Sequence, residues 1–277
     1  MFSSWVKNSI ITLSLLVCTH ANAETITTEG RAFFPTNISQ VDSCNLAFTN
    51  AKKNALSLAG LEKSRFNTID ICIENNDVTK CELFQENHSY FDGGFIKSDE
   101  ILGKPKIVGE GLQRECLITA KFEIKKYQDQ PDPNFILTAE LERKRLIEGD
   151  NIIIRGETSL PANLYLLGVT DKDKYIKLIP NQFEKAKNIN GKFQLPSVEA
   201  GKKYSLEAQL PSQSTDIKEI TEYIILLATK KDFVLVDEED EANFHKRLDE
   251  LGRGNWRKRP LAYSIYIPYH LITQFLE

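Results

Sequence analysis

The sequence predicts an α+β protein. A small α/β layer, one long helix on a sheet, is followed by an antiparallel β-sandwich with a C-terminal helix and strand. Three observations predict it. Between Ser39 and Gly60, apolar residues recur every three or four positions, the period of a helix with one buried stripe. Elsewhere in residues 24–127, short apolar runs alternate with polar residues, the period of strands. Beyond a proline-bearing stretch at 128–134, residues 135–233 read almost wholly as short strands between turn residues, the pattern of a sandwich.

The first element is an address. Lys7, an apolar run from Ile10 to Cys18 and the triplet Ala21-Asn22-Ala23 have the layout of a secretory signal peptide cut after Ala23. The run is shorter than the roughly 20 apolar residues of a spanning helix. Val17 stands where a lipoprotein leader, acylated on Cys18, needs a small residue. No later run is long and apolar enough to span a bilayer, so the expected location is the periplasm, with the extracellular space as the alternative.

Residues 24–127 form the expected N-terminal domain. "TITTEGRAFF" reads as a strand. In the helix, Val41, Cys44, Phe48, Ala51, Ala55 and Leu58 make the stripe, with Ser39 as N-cap and Gly60 as stop. "FNTIDICIEN", "CELFQENHSYF" and "PKIVGEGLQRECLITAKFEIKKY" read as strands, and in the last Cys116, Ile118, Ala120, Phe122 and Ile124 share a face. Without Cys18, four cysteines remain, an even number, with no C-x-x-C pair; this points to disulfides rather than redox or zinc chemistry. Three pairings are possible. Cys72 and Cys81 flank a turn-rich connection and are the short-range pair, leaving Cys44 on the helix stripe to meet Cys116 on the strand.

The residues "EGRAFF", the alanine-rich helix ending in "AG", "GGFIKSDEIL" and "CLITAKFEI" resemble the N-terminal domain of the flagellar assembly protein T and the related LPP-twenty type of envelope lipoprotein. The resemblance covers this domain and implies a helix, a glycine turn at Gly93-Gly94 and a final strand.

Pro131 and Pro133 punctuate the 128–134 linker. In the sandwich region, "FILTAEL", "NIIIRGETS", "NLYLLGV", "YIKLI" and "KYSLEAQLP" are expected as strands, the last with Tyr204, Leu206, Ala208 and Leu210 inward. "EYIILLATK" is apolar on both faces, as a central strand is. Turns are expected at Gly149-Asp150, Asn190-Gly191, Gly201 and Pro211-Ser212. Asp171 and Asp173 offer two carboxylates between two lysines, fewer oxygens than the six or more a hard cation takes, so "DKDK" reads as a hairpin tip. The segments "NLYLLGV", "LIPN" and "LPS" resemble the domain-of-unknown-function family four-three-eight-four at Leu164–Leu167, Leu178–Asn181 and Leu195–Ser197. That resemblance implies a β-sandwich accessory module of envelope or signalling proteins, with no catalytic residue to place.

Residues 234–277 are expected to pack on the sandwich. Asp237 is read as the cap of a helix whose inner stripe is Phe244, Leu248 and Leu251, and "AYSIYIPYHL" as a returning strand. Between them, Arg253, Trp256, Arg257, Lys258 and Arg259 form the densest basic run. It reads first as a connecting loop whose Trp packs on the sandwich; the functional reading is contact with an anionic surface.

A net charge of −4 argues against a nucleic-acid binder. No G-x-S-x-G, H-E-x-x-H or phosphate-binding glycine loop occurs, and His88, His245 and His270 are scattered, each read as surface or structural. The expectation is a non-enzymatic envelope protein with no cofactor and no metal, acting through contacts with other envelope proteins. The alternative is a glycan- or anionic-lipid-binding module using Trp256 and its basic neighbours.

Overall fold

The chain enters as β1 (Glu24–Phe33), continues as α1 (Gln40–Leu58) and passes through β2 (Glu62–Lys63) and β3 (Phe91–Asp92) to β4 (Gly94–Ile101), β5 (Lys106–Val108) and β6 (Glu115–Lys126). The computed structural model describes residues 23–34, 39–63, 91–110, 114–170, 174–185, 188–210 and 219–266. The expected leader to Asn22, the Cys72–Cys81 pair, the two strands of residues 66–90, His88 and His270 lie outside the described residues, as do the 171–173 loop tip and the Pro211-Ser212 turn.

β6 is the centre of the first sheet. β1 lies antiparallel along one edge, from Glu24 opposite Ile124 to Phe33 opposite Glu115, and β4 and β5 share the other. Cys116, Ile118, Ala120, Phe122 and Ile124 all point into the core under α1, as their two-residue period dictates. The Cys44–Cys116 disulfide ties helix to strand, with Cα atoms 5.2 Å apart.

The ends of α1 follow the sequence. The Ser39 hydroxyl accepts from the Asp42 N–H at 3.1 Å. Gly60, at φ 73°, closes the other end: its N–H reaches Ser57 O and the Leu61 N–H reaches Leu56 O, a Schellman turn. The expected stripe holds at Ala51 and Ala55, with Cys44 and Phe48 packed against the core, and is corrected at its two ends. Ser43, Ala47, Ala51 and Ala55 face inward, while Val41 and Leu58 stay 69% and 68% exposed. The helix lies so close over β1 at Gly30 that only small side chains fit between them. Asn50 and Asn54, one helical turn apart, donate to Arg31 O and Glu29 O, both at 2.9 Å, and so satisfy carbonyls of the edge strand β1.

The remaining strands are β7 (Leu137–Leu141), β8 (Arg145–Ile147), β9 (Ile154–Val169), β10 (Lys174–Ile179), β11 (Asn188–Leu195), β12 (Glu219–Thr229), β13 (Glu238–Asp240) and β14 (Trp256–Tyr266), with α2 (Glu241–Leu251) before the last. β9 organises them. "NIIIRGETS" and "NLYLLGV" are not two strands: from Ile154 they form one strand of 16 residues that belongs to two layers. Its first half pairs with β7 and β11, with Ile154 opposite both Leu141 and Leu195. Its second half pairs with β10 and β12, with Val169 opposite both Tyr175 and Tyr223. Pro161, exposed where the strand passes from one layer to the other, needs no ladder partner there.

The β9–β10 pairing confirms the hairpin around "DKDK". Asn190-Gly191 is not a loop: Gly191, at φ 90°, sits inside β11 where the register with β9 shifts, the place for a bulge. Residues 204–210 keep the predicted alternation of burial but form no ladder beyond one bridge, Asn151 to Glu207. The sheet is mixed rather than purely antiparallel, because β8 runs parallel to β14. Helix α2 starts at Asp240, whose carboxylate accepts from the Asn243 N–H at 2.8 Å; the expected cap, Asp237, lies ahead of β13 instead, because Glu238–Asp240 pairs with β10.

Three apolar clusters result. One lies between α1 and the first sheet. A second fills the sandwich, with Leu164, Leu166, Ile224, Leu226 and Ile265. A third lies on the opposite face of β9 and β12, with Tyr165, Leu167, Ile225 and Leu227, under Phe244 and Leu248 of α2. β12 is therefore buried on both faces. Among the described residues, Phe95 and Tyr127 are what the part of the chain before residue 128 contributes to this third cluster. No helix among the described residues is long and apolar enough to cross a membrane.

Candidate functional site

Trp256 to Arg259 of the basic run open strand β14 rather than a loop, and Arg253 lies in the 3-10 turn just before it. Trp256 to Arg259 pair with Thr229 to Leu226 of β12, so their side chains alternate between the two faces. Trp256 is fully buried, its Nε1–H donating to Leu248 O at 2.9 Å. Arg253 is 7% exposed, with its guanidinium 4.0 Å from the Trp256 ring and a 3.2 Å bond to Trp256 O. Neither reaches a surface, which corrects the reading of this run as one anionic-contact patch. An indole and a delocalised cation bury well together because each supplies what the other lacks.

Arg257 is also engaged. Its guanidinium bonds to the carbonyls of Trp256, at 2.8 Å, and Asp132, and lies 5.4 Å from the Phe135 ring. Lys230 approaches the same ring to 5.3 Å and pairs with the Asp132 carboxylate, which this hydrogen bond holds below the usual carboxylate range. These contacts fasten the 128–134 linker to the end of the sandwich. Lys258 is half-buried, and Arg259 is the exposed member of the run.

The junction between the domains is a polar cluster set in aromatic rings. His245 lies on the buried side of α2, 2% exposed. Its ring stacks on Phe95 of β4, with centroids 5.6 Å apart and planes at 16°. Nδ1 is 2.5 Å from the Tyr127 hydroxyl. Nε2 is 3.8 Å from the Glu241 carboxylate, whose Oε1 also accepts from the Tyr175 hydroxyl at 3.4 Å. Which of the two groups donates in this bond is set by the tautomer of the ring. Burial first, and then the charge of Lys258, holds the imidazole well below its ordinary range. Lys125 of β6 pairs with Asp249 of α2 at 2.6 Å beside it. The cluster ties α2 to the first sheet and the residue that follows it.

Sequence reasoning missed this site. Position 245 is three residues before Leu248, on the edge of the predicted stripe, which was the available signal. Nothing in the sequence pointed to Tyr127 as its partner.

A cleft of about 400 Å³ opens beside the sandwich core, with Leu166, Leu178, Leu206 and Ile224 among its walls and Glu207 and Glu222 among its polar groups. Burial, and then Glu222, pushes the Tyr263 phenol well above its ordinary range, so it remains a hydrogen-bond donor at neutral pH. The "LIPNQFE" motif is structural. The Asn181 side chain accepts from the Phe183 and Glu184 N–H groups, both at 2.8 Å. The buried Glu184 carboxylate accepts from the Ser197 N–H at 2.9 Å and the Tyr204 hydroxyl at 2.7 Å. Among the described residues no group of His, Cys, Asp and Glu is arranged to hold a metal. No family model, no curated protein and no solved structure matches the chain.

Proposed function

We propose that this chain is a non-enzymatic periplasmic accessory or scaffold protein that works through protein–protein contacts in an envelope assembly. The observation that carries the reading is the junction, where Phe95, Tyr127 and His245 join two differently built domains and hold their outer surfaces in one geometry. A scaffold needs that: binding surfaces pre-set relative to each other lose less entropy when a partner engages both. The Cys44–Cys116 bridge supports an oxidising compartment. Crosslinking in intact cells followed by affinity purification from envelope extracts tests the reading. One or more stoichiometric envelope partners are expected; recovery of the chain alone would sink it.

The exposure of Arg259 favours a second reading, a module that binds glycan or anionic lipid. Salt-sensitive binding to vesicles rich in anionic lipid or to isolated peptidoglycan, lost in Arg259→Ala, would replace the first reading with this one.

A further inference from the structure

We propose that His245 is a pH-sensitive latch: protonation of its ring releases the N-terminal domain from α2 while the two outer cores stay folded. The junction is built for separate release. The N-terminal domain has its own core, bridged by Cys44–Cys116, and the sandwich has another. Among the described residues, the N-terminal domain inserts Phe95 and Tyr127 into the shared cluster, reinforced by the Lys125–Asp249 pair. Small interfaces between domains of one chain open at lower free energy than either core unfolds.

The groups facing His245 all bear on its charge. From just beyond β6 comes Tyr127, whose hydroxyl is hydrogen-bonded to Nδ1. From β4 comes Phe95, stacked on the ring, and from β10 comes Tyr175 at 6.3 Å between centroids. From β14, Lys258 adds a like charge. Arg253 lies 6.0 Å from the Tyr127 ring. The opposing group is Glu241 on the same helix, but its side chain is 43% exposed and at 3.8 Å makes no hydrogen bond to Nε2. A second proton puts a charge on a ring enclosed by aromatic side chains and facing the like charge of Lys258. The ring keeps that proton at lower cost by turning to water, and it can do so only if Phe95 and Tyr127 withdraw.

Trp256 reports the event. It is fully buried, with its ring edge-on to Tyr127 at 5.2 Å. In the full chain with Trp5→Phe, its emission maximum and the radius of gyration from small-angle scattering are followed from about pH 7.5 to about pH 4.5. The expected result is one concerted red shift and expansion below the ordinary histidine range, with the far-ultraviolet spectrum unchanged. His245→Phe should abolish the transition. Lys258→Gln should move it to higher pH, because the like charge that opposes protonation is gone. If His245→Phe is already red-shifted at neutral pH, the direction of the Lys258→Gln shift decides. An emission maximum and radius that stay constant across the range would overturn the proposal. So would an identical transition in a docked His245→Phe, or a Lys258→Gln midpoint that does not rise.

Discussion

A Cβ atom built on Gly30 would stand 1.9 Å from the carbonyl oxygen of Ala47 and 2.4 Å from the nitrogen of Ala51. Backbone, not a movable side chain, fills the space. The Thr28 hydroxyl, two residues earlier, donates to Ala51 O at 2.9 Å, so helix and strand are joined as well as touching. Gly30→Ala should therefore push α1 off the sheet and destabilise the N-terminal domain by about 3 kcal/mol or more, as overpacking of a close contact does. Calorimetry should show the loss in one of two transitions, with the sandwich transition little changed.

Ser43 continues the small-residue row of α1, yet its buried hydroxyl has no hydrogen-bond partner. Ser43→Ala keeps the fit and removes the desolvated group, and alanine is the better helix former. A gain of about 1 kcal/mol in chemical unfolding is expected; a loss of stability would mean that the hydroxyl has a role the packing does not show.

The Cys44–Cys116 bridge closes a loop with a sequence separation of 72 residues. Loop-closure entropy for that length corresponds to about 4 kcal/mol, an upper figure because unfolded chains retain structure. Replacing both cysteines with Ala should cost up to that amount, measured by chemical unfolding at fixed pH, and should leave the sandwich transition in place.

The sequence made most of this architecture legible where one physical demand acted alone. The alternation from Cys116 to Ile124, the Ser39 and Gly60 ends of α1 and the double burial of β12 follow from period and capping, which are local. It misled where two demands competed. Val41 and Leu58 lie on an apolar stripe but lose their place to alanines, because Gly30 sets a helix–strand distance visible only in three dimensions. The 256–259 run has the composition of a loop, yet pairing with β12 and the Leu248 carbonyl of α2 draw Trp256 inside, and Arg253 packs on its ring. The His245 cluster and the 400 Å³ cleft were least legible, since their members come from strands and helices far apart in the chain.

Glu184 is 3% exposed and accepts from both Ser197 N–H and Tyr204 O–H. Glu184→Ala strands two donors and should cost roughly 2–4 kcal/mol. Glu184→Gln retains an acceptor oxygen and should cost less. Thermal unfolding of the two variants distinguishes this hydrogen-bond role from a catalytic one, because a group kept only for chemistry would leave stability unmoved in both.

The neutral burial of His245 also fixes how stability depends on pH. Its native imidazole is held well below the ordinary value of 6.5, chiefly by burial. Above about pH 6.5 neither state binds the proton, so the full stability is present. Below it the unfolded chain takes up a proton that the docked native state refuses, and stability falls by up to about 1.4 kcal/mol per pH unit until the native pKa is reached. Glu123 and Asp132 are held below their ordinary values by Lys97 and Lys230, so they remain charged in both states at pH 5–6.5 and do not contribute there. Urea midpoints measured from about pH 7.5 to about pH 5 should decline along that slope, and the decline should flatten in His245→Phe. A midpoint that holds steady in the parent protein, or falls equally in both, would mean that the buried ring is not what sets the acid sensitivity.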